Sequence, residues 1–190
     1  MNLIGLCGRA GSGKDFLADK LVRDYGYTKI AFGTELKVIA NSIYPWVDLD
    51  YLHGEKEVPI NHSENHLKKT PRDIWLHLNK LREMDNNVFT RGTKLKIEAL
   101  IAAEKNIVVT DIRKQNELDL LRNLKFITIK IKSHIHDIHK IESENRLDLF
   151  KCDYGFFNQK HGGLEKWVNA FKSICLNEAI KNFNSITHGT

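Results

Sequence analysis

Between Gly8 and Asp15 the chain reads GRAGSGKD. Glycines there let the backbone turn its N–H groups inward around phosphate oxygens, and Lys14 supplies a cation that reaches the outer phosphates. Gly8, Gly13 and Lys14 meet the spacing G-x-x-x-x-G-K of a phosphate-cradling loop, with Arg9, Ala10, Gly11 and Ser12 filling the turn. The pattern fails only at Asp15, where a Ser or Thr hydroxyl would ligate Mg²⁺. A carboxylate is a harder, charged oxygen ligand for the same ion, directly or through water. Without a metal it repels phosphate by an amount set by the local dielectric. Asp15 is thus read either as part of a Mg²⁺ shell or as a helix-start cap beside a weakly binding loop.

A second group of chemically capable residues lies in NIVVTDIRKQNE, 106–117. Asp111 can orient Mg²⁺-bound water or accept a hydrogen bond from a substrate. Arg113 offers a bidentate fork for phosphate. Glu117, four residues on, is placed to hold Arg113. Alone, an Asp-Ile-Arg run reads as a cap with a surface ion pair of little worth. Sharing a sheet edge with a phosphate loop, it reads as a site. Lys37 and Arg72, each near a helix start, are candidate grips for a second phosphate group, and Arg82 and Arg91 carry less weight. Trp46, Tyr51 and Trp75 could stack on a base, although such rings are more often core. The run HIHDIH at 134–139 is not a zinc site, since no Cys or carboxylate cluster at ligand spacing accompanies it.

These residues need elements to position them. Apolar β runs alternate with helical patterns, which predicts a parallel α/β sheet. NLIGLC (2–7) is a buried central strand. A helix follows with Leu17, Ala18, Leu21, Val22 and Tyr25 on one face and Gly26 as its stop. TKIAF (28–32) is the second strand, and Thr34 can cap the next helix. Residues 46–69 are polar and mixed and have no sustained period, which suggests an inserted, mobile segment. Thr70, Pro71 and Asp73 then spell a helix start. A helix near 91–105 leads into the strand NIVVT (106–110), and another helix spans about 115–123. FITIKIK (126–132) alternates and looks half exposed, so nearer a sheet edge. A charged helix over 134–147, a strand at 153–158 and an amphipathic helix carrying Leu164, Trp167, Val168, Phe171, Ile174 and Cys175 complete the chain.

With 190 residues the chain fits one domain with a real core. No run approaches the ~18 uninterrupted apolar residues of a membrane span, and the N-terminus reads as a strand, not a signal peptide. Three cysteines, an odd number set far apart, suit a reduced, cytoplasmic setting. The net charge of +5 suits a polyanionic partner, but the basic residues form no block of the kind that marks a nucleic-acid tail.

Taken together, GRAGSGKD (8–15), FGTELK (32–37), TPRDIW (70–75), VVTDIRKQNE (108–117) and ESENRLDLFKCDYGFFNQKHGGLEKW (142–167) resemble the phage-type deoxynucleoside monophosphate kinases, of the P-loop nucleoside monophosphate kinase superfamily. The pieces stand in that family's order, and the aspartate after the loop lysine is one of its traits. Two departures are the missing apolar residue after Arg113 and Lys132 where an arginine is expected. The resemblance implies a three-layer P-loop kinase fold with a five-stranded parallel sheet in the order 2-3-1-4-5. It implies one domain: a core (1–32, 91–132, 151–182), an acceptor-binding insertion (about 33–90) and a lid (about 133–150). It implies ATP as donor, Mg²⁺ at Asp15 and Asp111, and a deoxynucleoside 5′-monophosphate as acceptor, with no nucleic acid or membrane partner, in a monomer or homodimer of the cytoplasm (the host's, if viral). Lys14 and the loop would hold ATP. Arg72, Arg113, Glu117, Asp111 and Lys37 would serve the acceptor, and Lys132, Lys140 and Arg146 are possible lid cations. The same loop also occurs in animal-type phosphomevalonate kinases, and a P-loop NTPase without an acceptor is a further alternative.

Overall fold

The computed structural model describes residues 1–52, 54–133 and 146–158, together with Ser173. At its centre is strand β1 (Leu3–Cys7), all five of whose residues are buried. A continuous apolar run of this kind suits a strand covered on both faces. Helix α1 (Lys14–Tyr25) follows, then β2 (Thr28–Ala31), α2 (Gly33–Ile43), α3 (Pro71–Asn79), the short α4 (Leu81–Met84) and α5 (Val88–Ala102). The second half runs β3 (Ile107–Thr110), α6 (Gln115–Asn123), β4 (Ile127–Ser133), a 3₁₀ turn (Arg146–Leu149) and β5 (Tyr154–Asn158). The five strands form one sheet in the order β2-β3-β1-β4-β5, with every pairing parallel. This is the expected order and the expected P-loop kinase fold.

Two cores sandwich the sheet. On one face Leu3 and Cys7 of β1 pack with Ile97 of α5 and Leu118 and Leu121 of α6. On the other, Ile4 and Leu6 pack with Leu17, Ala18 and Leu21 of α1 and with Ile129 and Ile131. The alternation along β1 thus sends successive side chains to opposite helical layers. The buried stripe of α1 is narrower than expected, because Val22 and Tyr25 are exposed. Gly26 stops the helix as expected. Its φ is 66°, its N–H donates to Val22 O at 3.2 Å, and Tyr27 N–H donates to Leu21 O at 3.2 Å.

Elsewhere the structure departs from the sequence pattern for identifiable reasons. Helix α2 begins at Gly33, not after a Thr34 cap, and no side chain caps it. A Cβ at Gly33 would stand 2.8 Å from Asp111 Oδ2, so the helix start is pressed against the β3 edge. Among its described residues, segment 46–69 holds one 3₁₀ turn (Glu55–Glu57) and has fastenings that its composition hides. Val47 is fully buried against Ala40 and Ile74. The buried Asn65 donates from Nδ2 to Ile60 O and Lys69 O at 2.8 and 2.9 Å, and its Oδ1 accepts from Lys69 N–H at 2.9 Å. Helix α3 starts as the sequence spells it. Asp73 N–H donates to Thr70 Oγ1 and Thr70 N–H to Asp73 Oδ2, both at 3.0 Å.

Helix α5 begins at Val88, ahead of the expected 91. In β4, Thr128 falls on the face that alternation leaves half exposed, yet it is fully buried. Thr128 lies on the α6 side of the sheet, beside Leu121 and Ile112, and Asp153 Oδ2, just ahead of β5, accepts from both its N–H and its hydroxyl at 2.7 Å. The charged helix expected over 134–147, most of the lid with Lys140, the side chain of Arg146 and the closing helix with Leu164 through Cys175 lie outside the described residues.

Candidate nucleotide site

The register of the sheet sets the site. Ala31 pairs with Thr110, Gly5 with Val109 and Cys7 with Lys130. The loop after β1, the start of α2, Asp111 and the end of β4 therefore share the carboxyl edge of the sheet, where open α/β sheets bind ligands.

The loop owes its shape to glycine at three positions. Gly11 and Gly13 have φ of 73° and 93°, in the left-handed region. Gly8 has no space for a side chain, since a Cβ there would stand 2.7 Å from both Ile131 O and Ser12 Oγ. Asn158, at the end of β5, clamps the loop by donating from Nδ2 to Ser12 O at 2.9 Å. A Cβ on Gly13 would collide with that same amide at 2.6 Å. Nothing in the sequence marks Asn158, because it acts from the far end of the chain. Ser12 Oγ is buried without a hydrogen-bond partner among the described residues, a polar atom left over inside the cradle.

Lys14 is buried, and its Nζ lies 3.1 Å from Asp15 Oδ2. Lys29, from β2, adds a contact at 3.5 Å to Asp15 Oδ1 and pairs with Asp19 at 2.8 Å. Burial pushes the Asp15 carboxyl up, but Lys14 and Lys29 outweigh that and hold it below the usual carboxylate range. Asp15 is therefore a carboxylate at neutral pH. It does not cap α1, whose N-cap is Gly13 with no side-chain cap bond. Of the two readings of Asp15, the geometry thus disfavours the cap. No group of three or more His, Cys, Asp or Glu side chains among the described residues could hold a metal by itself.

Across the edge, Asp111 sits at φ 62° on leaving β3, a region sparsely used by residues other than glycine. Its Oδ1 accepts from Arg113 Nε at 2.6 Å. Glu117 does hold Arg113, but by the main chain. Its Oε2 accepts from the N–H groups of Arg113 and Lys114 at 2.8 and 3.0 Å. The other oxygen accepts from Arg82 Nη2 at 2.9 Å. Only 1% of Glu117 is exposed. Burial pushes its carboxyl above the usual range, against the two N–H donors and Arg82. Arg82 also donates to Asn79 at 3.0 Å and stands 5.0 Å over the Phe89 ring, while its Nη1 is buried without a partner among the described residues. This arginine, lightly weighted in the sequence, joins α4 to the turn at 111–114 through Glu117.

Lys37 and Arg72 form a third group. Lys37 Nζ pairs with Asp50 at 2.9 Å and lies 5.3 Å from the Trp75 ring centroid, and Arg72 pairs with Glu57. Asp50 is 94% exposed, so a bound phosphate gives up little by displacing it. Of the aromatic candidates, Trp46 stacks on His62 at 5.4 Å and Tyr51 meets Trp75 edge-on at 5.8 Å. All three pack on the small Ala40–Val47–Ile74 core. Beside the loop, a cavity of about 460 Å³ is lined by Gly8, Arg9, Lys130, Lys132, Leu147 and Phe157, among others. Its size and its mix of cations with apolar walls suit a small anionic ligand. Lys132, the replacement for an expected arginine, is part of that lining.

No family model matches the chain. Over 143 residues, 69% of the chain and 74% of the relative, it is 29% identical to an Acanthamoeba polyphaga mimivirus protein named "Putative deoxynucleotide monophosphate kinase". The resemblance holds. Among solved structures, a shikimate kinase from Bacteroides thetaiotaomicron superposes with a TM-score of 0.45 at 13% identity, over 90% of this chain and 97% of that one. TT1252 from Thermus thermophilus gives 0.49 at 19% identity, over 93% and 97%. The fold assignment rests on the strand order and the loop, not on these two structures.

Proposed function

We propose that the chain transfers the γ-phosphoryl group of ATP to a deoxynucleoside 5′-monophosphate, in a Mg²⁺-dependent reaction that yields the diphosphate. The observation that carries this reading is one sheet edge with two cation-bearing halves: an amide-lined loop with Lys14, and the Asp111–Arg113 turn held by Glu117. The relative's name points the same way.

In this reading the N–H groups of residues 9–14 and the amino end of α1 hold the donor's phosphates. Lys14, already buried in the loop, exchanges its contact with Asp15 for a phosphate oxygen. Arg113 and Arg72, with Lys37, hold the acceptor's phosphate. Bound Mg²⁺, carried by the phosphates with Asp15 or Asp111, supplies charge neutralisation on the transferring group. The acceptor phosphate is already nucleophilic, so no residue needs to act as a strong base. Rate then comes from positioning and from fixed positive charge. No helix among the described residues is long and apolar enough to cross a membrane. Small-molecule substrates and a cytoplasmic site of action are part of the same proposal.

A coupled ATP-to-ADP assay against dTMP, dGMP, dCMP, dAMP, the ribonucleotides and phosphomevalonate tests it. The proposal expects turnover that depends on at least one deoxynucleotide. Turnover that needs no monophosphate, or that needs phosphomevalonate alone, would overturn it.

A further inference from the structure

Lys14 is the cation of the phosphate loop, yet its Nζ already pairs with Asp15 Oδ2 at 3.1 Å. A phosphate that draws Lys14 away leaves a carboxylate beside the cradle with one counterion fewer. Two like charges about 4 Å apart repel, and more so as the local dielectric falls. A Ser or Thr hydroxyl at this position would raise no such conflict. With aspartate there, a cation other than Lys14 has to hold the Asp15 charge while phosphate binds.

Lys29 is placed to do so. In the β2–β3 register it pairs with Val108, which belongs to the core that α1 covers. Neighbours in register share a face, so the Lys29 side chain stands on the α1 side of the sheet. Its Nζ lies 3.5 Å from Asp15 Oδ1, the oxygen that Lys14 does not use, and 2.8 Å from Asp19 Oδ1. Asp15 and Asp19 are one turn apart on α1, so the lysine bridges both from below. Its side chain is 29% exposed, against 58% and 66% for the two aspartates, which makes it the fixed member of the trio. Lys29 also stands two residues before the end of β2 at Ala31, short of the edge where ligands bind. It is thus placed to act through Asp15 and not on phosphate.

We propose that Lys29 is a positioning residue for the phosphate loop: it keeps hold of the Asp15 carboxylate through Oδ1 when Lys14 turns to phosphate, and so lets the cradle accept a nucleotide before any metal arrives. Asp19 keeps Lys29 in place for this. Lys14 and Lys29 divide the two oxygens of Asp15 between them in the free protein, and only the Lys14 half of that arrangement is given up on binding. The inference rests on the nucleotide reading of the loop.

The test is calorimetric titration of the full chain with ATP, in a chelator and in Mg²⁺, at low ionic strength, where exposed charges are least screened. Lys29→Met keeps the aliphatic stem and removes the charge. If its melting temperature falls, Lys29→Gln takes its place. In the chelator the wild type binds ATP, and the neutral variant binds it about fivefold or more weakly, the scale of one charge pair near 4 Å at high dielectric. Lys29→Arg, which keeps the cation, restores the affinity. In an Asp15→Asn background the same Lys29 substitution has no effect on ATP affinity, because no charge remains to be held. An equal loss in that background would make Lys29 a remote cation acting on phosphate directly and would overturn the positioning role. Unchanged affinity in Lys29→Met also overturns it, as does a wild type that binds ATP only with Mg²⁺. A wild type that binds ATP in neither buffer overturns the nucleotide reading itself.

Discussion

The two halves of the site are built in opposite ways. The proposed donor half is one contiguous stretch, Gly8 to Asp15, shaped largely by its own glycines and fastened from outside by Asn158. The proposed acceptor half draws on α2, α3 and the turn at 111–114, and the buried pair of Glu117 and Arg82 ties α4 to that turn. A loop shaped largely by its own glycines leans on few distant contacts. A site built by long-range contacts depends on each of them. Mutations that separate the two halves should therefore show different kinetic signatures.

The largest expected effect is on the donor side. Lys14→Ala should lower kcat by roughly 100- to 1000-fold, the cost of removing one fixed donor to developing charge, in initial rates at saturating monophosphate. On the acceptor side, Glu117→Ala leaves the Arg82 cation buried and two N–H groups unpaired. It should cost about 3 kcal/mol of stability, seen as a drop in melting temperature, and raise KM for the monophosphate more than KM for ATP. If instead KM for ATP alone rose, the division into halves would break. Asn158→Ala removes the clamp on Ser12 O, and a loss of about 1 kcal/mol should raise KM for ATP about fivefold and leave the monophosphate KM unchanged. Thr70→Ala loosens the start of α3, which carries Arg72: it should cost about 1 kcal/mol in thermal stability and raise the monophosphate KM slightly, with KM for ATP unchanged.

The smallest effect is a pH dependence. Asp15 has a folded-state pKa below its ordinary 3.8, held there by Lys14 and Lys29 against burial. Its contribution to stability is therefore present above that ordinary value and is lost as pH falls through the folded-state one. In Asp15→Asn, acid melting curves of the ligand-free protein should be slightly flatter across that window than those of the wild type.

What the sequence disclosed follows the same division. GRAGSGKD, the Gly26 stop and Thr70-Pro71-Asp73 are local devices, so their residues are adjacent and readable. The strand order came from resemblance, because periodicity shows which residues are buried and not which strands are neighbours. Asn158 on Ser12, Arg82 on Glu117 and Asp153 on Thr128 join residues far apart in the chain. Polar contacts of this kind leave no period and no motif. Asn65 is the same lesson at short range, a single buried amide that fastens a segment whose composition reads as loop.

The central claim is that two phosphate-bearing ligands face each other along one edge of the sheet. Its most direct test is calorimetric titration with a bisubstrate analogue, adenosine joined by five phosphates to the deoxynucleoside whose monophosphate supports turnover, against ATP and that monophosphate separately. Linking two ligands that both fit gains about 100-fold or more in affinity over the better one, and the account predicts that gain in the wild type and its loss in Arg113→Ala. An analogue that binds no more tightly than ATP, in a protein that binds ATP normally, would contradict the account.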